Sequence, residues 1–378
     1  MNTPPGPLPR PVRVCFLIDE LATAGTETQL LALIRSLDRC RVSPYLCLLR
    51  GESSTSRALE PDDCPVLRLG VRSLHSPAML ARAWRLARFL RRERIDVLQV
   101  YFPDSTYFGV PIGWFAGVPA IVRTRNNVGH WLTPLHRRLG RLLNVFTTTT
   151  VANCEAARQA LLEAERPQAR SVVVLENGVD LSGFDVIPAL DEQNRPVRCV
   201  GAVANLRQVK GLDILIEASS RLAAAHPDVT FEVAGEGPER DALQQFIAER
   251  GLQARFRLRG SVADIPRFLS EIDVAVLPSR AEGMSNAVLE YMAAGRAVVA
   301  TDVGANRRLL ADGACGLLVA PGNVVELAAA IGRLLDDAGL AYRLGEVARQ
   351  RAREQFSREA MVHRFEDFYV TLAGRRAA

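Results

Sequence analysis

The chain has 378 residues, 48% apolar and 24% charged, which is an ordinary globular composition and too long for a single core. Its formal charge of +5, carried almost wholly by arginine, does not argue for nucleic acid, and no run approaches the ~18 apolar residues of a membrane span. Seven cysteines at 15, 40, 47, 64, 154, 199 and 315, scattered and without a C-x-x-C pair, read as buried free thiols in a reducing compartment rather than disulfides or a metal site.

Residues 1–11 contain five prolines and are expected to be a disordered lead. Val12–Ile18 is an apolar run of strand length, followed by a small-residue loop through Ala24, Gly25, Thr26 and Glu27 and a helical pattern to Leu37. Strand, loop and helix start in this order present backbone amides to a phosphate. Further strands are predicted near 43–49, 65–68, 96–100, 119–123, 147–152 and 171–174, with helices near 76–92, 104–116, 131–144 and 154–163. In the first of these helices Arg82, Arg85, Arg88 and Arg92 gather on one side and Ala83, Leu86, Phe89 and Leu90 on the other, with Trp84 on the arginine side. Two readings stand for that face: a solvated polar surface, or one resting on anionic lipid. The turn Asn177-Gly178-Val179-Asp180 closes the series, and 181–196 has the prolines and lost periodicity of a linker.

A second series follows, with strands predicted near 197–203, 229–234, 255–259, 273–277, 297–300 and 316–319, and a last helix at about 357–373. Alternation of strand and helix in both halves means parallel sheets covered on two faces, with ligands at the carboxyl ends of the strands. Four loops at such ends carry chemistry-bearing residues. Arg207 and Lys210 flank a turn at a helix start, where two cations can clamp a diphosphate. Gly235-Glu-Gly237-Pro-Glu239 opens the next helix, and Gly260-Ser-Val262 follows the strand after it. Residues 278–295 read Pro-Ser-Arg-Ala-Glu-Gly-Met-Ser-Asn-Ala-Val-Leu-Glu-Tyr-Met-Ala-Ala-Gly: a strand end, a loop with Glu282, and a helix with Glu290 two turns on. At ~1.5 Å per residue the carboxylates stand roughly 12 Å apart, too far to share one bond and about the span of a sugar, a diphosphate and a ribose. The helix start between them favours negative charge.

Glu282 and Glu290 at this spacing, followed by Met292-Ala-Ala-Gly295, resemble the E-x7-E signature of retaining glycosyltransferase family 4. Lys210-Gly211, the Gly235-x-Gly237-Pro loop and Asn177-Gly-Val-Asp180 match the same family, and the resemblance runs from the first strand to about residue 322. The fold it implies is α/β of the GT-B type, two Rossmann-like parallel-sheet domains facing a cleft, at 12–183 and 197–355. A linker at 184–196 joins them, and a C-terminal helix within 356–378 crosses back to the first domain. For the donor, the resemblance implies Glu282 on sugar hydroxyls, Glu290 on the ribose, and Met284, Ser285 and Asn286 near sugar and phosphate. It also implies Gly235, Gly237, Gly260 and Val262 beside the nucleotide, and Gly25 and Thr26 against the diphosphate. The sequence departs from the family at Ala24 for a glycine, Asn205 for an arginine and Arg308 for an acid. Where relatives place a histidine it has Arg123-Thr-Arg125-Asn126-Asn127, so that Asn126 is the candidate hydrogen-bond donor on the acceptor side and His130 reads as an ordinary loop residue.

The activity implied is retaining transfer of a sugar from a nucleotide-diphosphate sugar to a glycan or lipid-linked acceptor in envelope or exported polysaccharide synthesis. Glu282, Arg207 and Lys210 would be catalytic, with no cofactor and no metal. No evident nucleophile is present, so the leaving phosphate is expected to take the acceptor's proton on the same face. Two alternatives remain at this stage: a catalytically idle nucleotide-sugar-binding subunit, and a nucleotide-sugar epimerase on the same fold. The expected location is cytoplasmic, peripheral at the inner membrane face if Arg85, Arg88 and Arg92 dock there.

Overall fold

A computed structural model describes residues 10–51, 53–71, 78–129, 132–188, 190 and 196–374. The chain forms two compact units, one of Met1–Asn177 with Arg358–Ala378 and one of Gly178–Ser357. In chain order the first unit contains β1 (Val12–Ile18), α1 (Gly25–Ser36), β2 (Val42–Leu48), α2 (Ser54–Leu59), β3 (Val66–Arg68), α3 (Met79–Arg92), β4 (Val97–Val100) and α4 (Pro103–Phe115). It continues with β5 (Ala120–Arg125), α5 (Pro134–Leu143), β6 (Thr149–Ala152), α6 (Glu155–Glu165) and β7 (Val172–Val174). The second unit has β8 (Cys199–Val203), α7 (Leu212–Leu222), β9 (Thr230–Ala234), α8 (Arg240–Glu249), β10 (Phe256–Gly260), α9 (Ile265–Ser270) and β11 (Val274–Leu277). After these come α10 (Asn286–Ala293), β12 (Ala297–Thr301), α11 (Asn306–Leu309), β13 (Leu317–Val319), α12 (Val324–Asp336) and α13 (Ala338–Gln355). The chain then returns to the first unit as α14 (Arg358–Gly374).

In the first unit seven parallel strands lie in the order β3-β2-β1-β4-β5-β6-β7. Strand β1 shows why its residues make a central strand. Val12, Val14, Phe16 and Ile18 enter one core with Leu30, Leu33 and Ile34 of α1 and Met361, Phe365 and Tyr369 of α14. Cys15 and Leu17 enter the opposite core with Leu86 and Leu90 of α3 and Phe108 of α4. A strand alternates its side chains with period two, so an unbroken apolar run is what a sheet buried on both faces requires. The second unit repeats the plan with six parallel strands, β10-β9-β8-β11-β12-β13, over a core that includes Val200, Ala202, Val274, Val276, Leu215 and Ile331.

Both sheets reverse direction of growth at one place, between β1 and β4 in the first and between β8 and β11 in the second. The loops leaving those strands diverge there, which opens a crevice at the carboxyl ends.

Several details differ from expectation. The division falls at Asn177–Gly178, ahead of 183, because the segment after it is fastened to the second unit. Val179 N donates to Phe356 O, Arg353 pairs with Asp185, and the buried Arg296 donates to the carbonyl of Pro188. The helix expected from 76 begins at Met79, residues 76 and 77 lying outside the described residues, as does His130. Helix α2 was not expected; it is one and a half turns held by the Ser53 side chain on the amide of Ser56. All seven cysteines are free, and Cys40 is exposed rather than buried.

Candidate functional site

In the second unit the loops after β8 and β11 meet at the reversal of the sheet. Lys210 ends a short 3-10 turn after β8, and its Nζ donates to Glu282 Oε1 at 2.6 Å. The Ser279 hydroxyl donates to the same oxygen at 2.7 Å. Side-chain exposure is 23% for Lys210 and 10% for Glu282, so the pair is open on one side and supported on the other. Among the described residues Glu282 Oε2 and the two remaining ammonium protons of Lys210 have no hydrogen-bond partner. Lys210 is also the only lysine of the chain, every other cationic side chain except histidine being arginine. Lysine is a compact charge with three rotatable donors, unlike the planar fork used elsewhere in this protein.

Arg280 holds the two loops together and was missed in the sequence. Its guanidinium grips Asp213 at 2.8 and 2.6 Å and the carbonyl of Gln208 at 2.7 Å, while its own amide donates to Val209 O. Burial pushes the Asp213 carboxyl up, and the Arg280 fork with the amides at the start of α7 more than offsets it, leaving the net shift downward. Close approach is allowed by Gly211, at φ +64°, where an added Cβ would lie 2.2 Å from the carbonyl oxygen of Pro278. Arg207 lies in the same turn as Lys210, whose amide donates to its carbonyl; its side chain is exposed.

The predicted glycines Gly235, Gly237 and Gly260 sit in tight turns after β9 and β10. Gly235 spends its amide on Gly260 O, and a Cβ on Gly237 would meet the Leu206 carbonyl at 2.4 Å. Val262 is half-buried just past β10. Met284 and Ser285 are buried, and the Ser285 oxygen caps α10 by accepting from the amide of Val288; Asn286 is the first residue of that helix. Arg308 lies on α11, with its guanidinium over the Phe356 ring.

Glu290 stands on the second turn of α10, where burial pushes its carboxyl up to about 7. No side chain or amide among the described residues hydrogen-bonds it, so this carboxyl waits for a partner. The sign for the unliganded protein follows from the raised value. Below about 4.5 the group is neutral folded and unfolded; between there and about 7 only the unfolded chain ionises, so stability falls as pH rises. Glu290→Gln is therefore expected to melt several degrees above the parent at pH 8 and at the same temperature near pH 4.5. A constant difference across that range would refute the assignment.

In the first unit, Gly25 opens α1 and Thr26 accepts a hydrogen bond at 3.2 Å from Asn126 of the loop after β5. Glu27 is buried, and desolvation with Asp19 nearby pushes its carboxyl up. Thr26 and Asn126 line a concavity of about 600 Å³, mouth included, with Tyr107 and Arg125. This unit also carries an outward face on α3 and α4 where Leu80, Trp84, Trp114 and Phe115 are more than half exposed. Arg88 lies over the Trp84 ring and Arg91 over Phe115, at 5.2 and 5.3 Å. Leu86, Ala87 and Leu90 turn inward. No helix among the described residues is long and apolar enough to cross a membrane, and no group of three or more His, Cys, Asp or Glu side chains among them is placed to hold a metal.

Comparison with known proteins gives the following. Residues 197–337 match the family model "Glycosyl transferases group 1", and residues 24–178 match "Glycosyl transferase 4-like domain". The chain is 36% identical over 294 residues to the lipopolysaccharide core biosynthesis glycosyltransferase LpsE of Rhizobium meliloti, covering 76% of this chain and 78% of the relative. It is 34% identical over 210 residues to the alpha-D-kanosaminyltransferase of Streptomyces kanamyceticus, covering 54% of each chain, so it spans about half the length of that relative. Among solved structures, Anabaena HepE in complex with UDP superposes with a TM-score of 0.82 at 22% identity, over 94% of this chain and 98% of the other.

Proposed function

We propose, from the premise that this chain belongs to the group 1 glycosyltransferases and has their GT-B fold of two parallel-sheet units, that it transfers a sugar from a nucleotide-diphosphate sugar to a glycan or lipid-linked acceptor, with retention and without a metal ion. The observation that carries this reading is the Lys210–Glu282 pair at the sheet reversal of the second unit. Glu282 fixes the ammonium from one side, leaving two N–H donors for the diphosphate oxygens. Its second oxygen is left to accept from a sugar hydroxyl and to face the positive charge that grows at the anomeric carbon. Oε1 already takes two hydrogen bonds, which makes this carboxylate a stabiliser rather than a nucleophile. As the anomeric C–O bond to the phosphate breaks, the acceptor oxygen bonds to the same face and its proton passes to the leaving phosphate oxygen, which gives retention. Arg207, exposed in the same turn, supplies further cationic charge to the leaving group in place of a metal.

UDP is the first nucleotide to test, because Anabaena HepE was solved with it. A panel of UDP, GDP and ADP is expected to raise the melting temperature for one base by several degrees, since ligand at ~100 times its Kd adds about 2.7 kcal/mol. Lys210 offers a direct reading of place: amine-directed acetylation of the whole protein can modify no other lysine, and the bound nucleotide-sugar should shield it. Unshielded labelling at saturating donor, or transfer that ceases with a chelator, would contradict the proposal. A donor-binding protein without transferase activity would bind the nucleotide and release none of its diphosphate.

A membrane-facing site of action is favoured by the α3–α4 face, which pairs exposed tryptophan and phenylalanine with arginine. An interfacial surface has this make-up, aromatic rings at headgroup level and cations toward anionic lipid. At about 1 kcal/mol per arginine, replacing Arg85, Arg88 and Arg92 by alanine should weaken sedimentation with phosphatidylglycerol vesicles roughly a hundredfold. Equal pelleting of the two proteins removes the membrane from the reading.

A further inference from the structure

The first unit holds a second crevice at its own sheet reversal, between β1 and β4. Thr26 reaches it from the first turn of α1, Tyr101 from the end of β4, and Arg125 and Asn126 from the end of β5; Tyr107 of α4 and Leu132 also line it. This is where an open parallel sheet places a ligand.

Its charge is unbalanced. Glu165, at 2% exposure, is the only acid among the described residues lining the crevice, and both of its oxygens are taken, Oε2 by Arg123 Nη2 at 2.7 Å and Oε1 by Arg125 Nη2. Arg123 Nη1 donates to the Gly140 carbonyl and to Asn144 Oδ1, and its Nε is fully buried with no partner among the described residues, out of a ligand's reach. Arg125 is placed differently. It is 9% exposed, yet its Nε and Nη1 make no hydrogen bond among the described residues. The Tyr107 hydroxyl is likewise without a partner among them, its ring stacked on His136 at 6.2 Å. Two guanidinium groups against one carboxylate leave a unit of positive charge. The free edge of Arg125 keeps access to the crevice, and two parallel N–H donors of this kind match the two oxygens of a carboxylate or phosphate.

We propose that this crevice receives the acceptor and that the acceptor carries an oxyanion, the carboxylate of an acidic sugar or a phosphate, gripped by Nε and Nη1 of Arg125 with a third hydrogen bond from the Tyr107 hydroxyl. The proposal rests on the glycosyltransferase reading for the word acceptor; the anion site itself does not. Asn126 keeps one amide hydrogen for the acceptor, its other being donated to Thr26.

The test uses the full chain with UDP at saturation, so that the cations of the second unit are occupied, and follows three probes by ligand-observed saturation-transfer NMR. The probes are methyl glucuronide, glucose 6-phosphate and neutral methyl glucoside. At least one anionic probe is expected to bind about tenfold tighter than the neutral one, the worth of a charge-assisted hydrogen bond. The tighter of the two identifies carboxylate or phosphate. Arg125→Gln should bring that probe down to the neutral level without changing methyl glucoside, and Arg125→Lys should keep part of the preference. Tyr107→Phe, which removes one hydroxyl and leaves the ion-pair cluster whole, should lower it several-fold. Equal binding of all three probes, or a preference unchanged in both Arg125→Gln and Tyr107→Phe, overturns the proposal. A UDP-induced melting shift that persists in these variants shows that the donor reading survives such a failure. A parent protein whose melting shifts with none of UDP, GDP and ADP condemns the donor reading and not the anion site.

Discussion

Glu282→Gln is expected to lower sugar transfer by about 10²- to 10³-fold while the second unit stays folded, the usual cost of removing one preorganised electrostatic group. The substitution keeps the shape of the side chain and one oxygen to accept from Ser279, but it takes away the charge that steadies Lys210. The opposite change is the sharper test. Lys210→Met leaves Glu282, with only 10% of its side chain exposed, as an unbalanced negative charge at the place proposed for the diphosphate. It is expected to raise KM for the donor as well as reduce kcat, because repulsion acts in the ground state and in the transition state. The double variant should cost far less than the two single losses combined, since the partners act as one unit. Initial rates of nucleotide diphosphate release with each variant settle this; activity within threefold of the parent for either single change means the pair is a structural tie. Thermal melting should move little, as a partly exposed pair contributes about 1 kcal/mol or less to stability.

The strands of both sheets were legible because their chemistry is local. Val274–Leu277 is apolar at every position and buried at every position, which only a strand covered on two faces demands. The two carboxylates of the proposed donor site stood out for a different reason, the spacing of Glu282 and Glu290 across a helix start. What escaped is what depends on distant partners. Arg280 and Asp213 are 67 residues apart in sequence, and nothing local distinguishes Arg280 from the many solvated arginines of this chain. Glu165 reads in sequence like Glu163 two positions earlier, yet one is buried between two guanidinium groups and the other faces Gln159 at the surface. Gly211 and Gly235 stood out only as parts of motifs; that a Cβ on either would press against a neighbouring loop's backbone carbonyl shows only in the structure. A motif marks a position; the reason for the residue appears only when its neighbour in space is known.

Glu165 also gives the largest expected effect on stability. Glu165→Gln should destabilise the first unit by about 3–5 kcal/mol, because it leaves Arg123 and Arg125, at 7% and 9% exposure, as buried charges with no counter-ion. At roughly 2–4 °C per kcal/mol for a unit of this size, melting should fall by about 10 °C. All three tryptophans, Trp84, Trp114 and Trp131, precede Asn177, so the fluorescence transition reports on this unit and not on its partner. Gly140→Ala separates the electrostatic cluster from simple helix propensity. Gly140 lies inside α5, where alanine is ordinarily better than glycine by about 1 kcal/mol. A Cβ there would stand 2.4 Å from the Glu165 carboxyl carbon and from Oε2. If the triad is as tightly held as its hydrogen bonds imply, the carboxylate has nowhere to go and the substitution destabilises. A Gly140→Ala protein that melts higher than the parent would mean that Glu165 yields, and that its grip on the two arginines is not what keeps the crevice in shape.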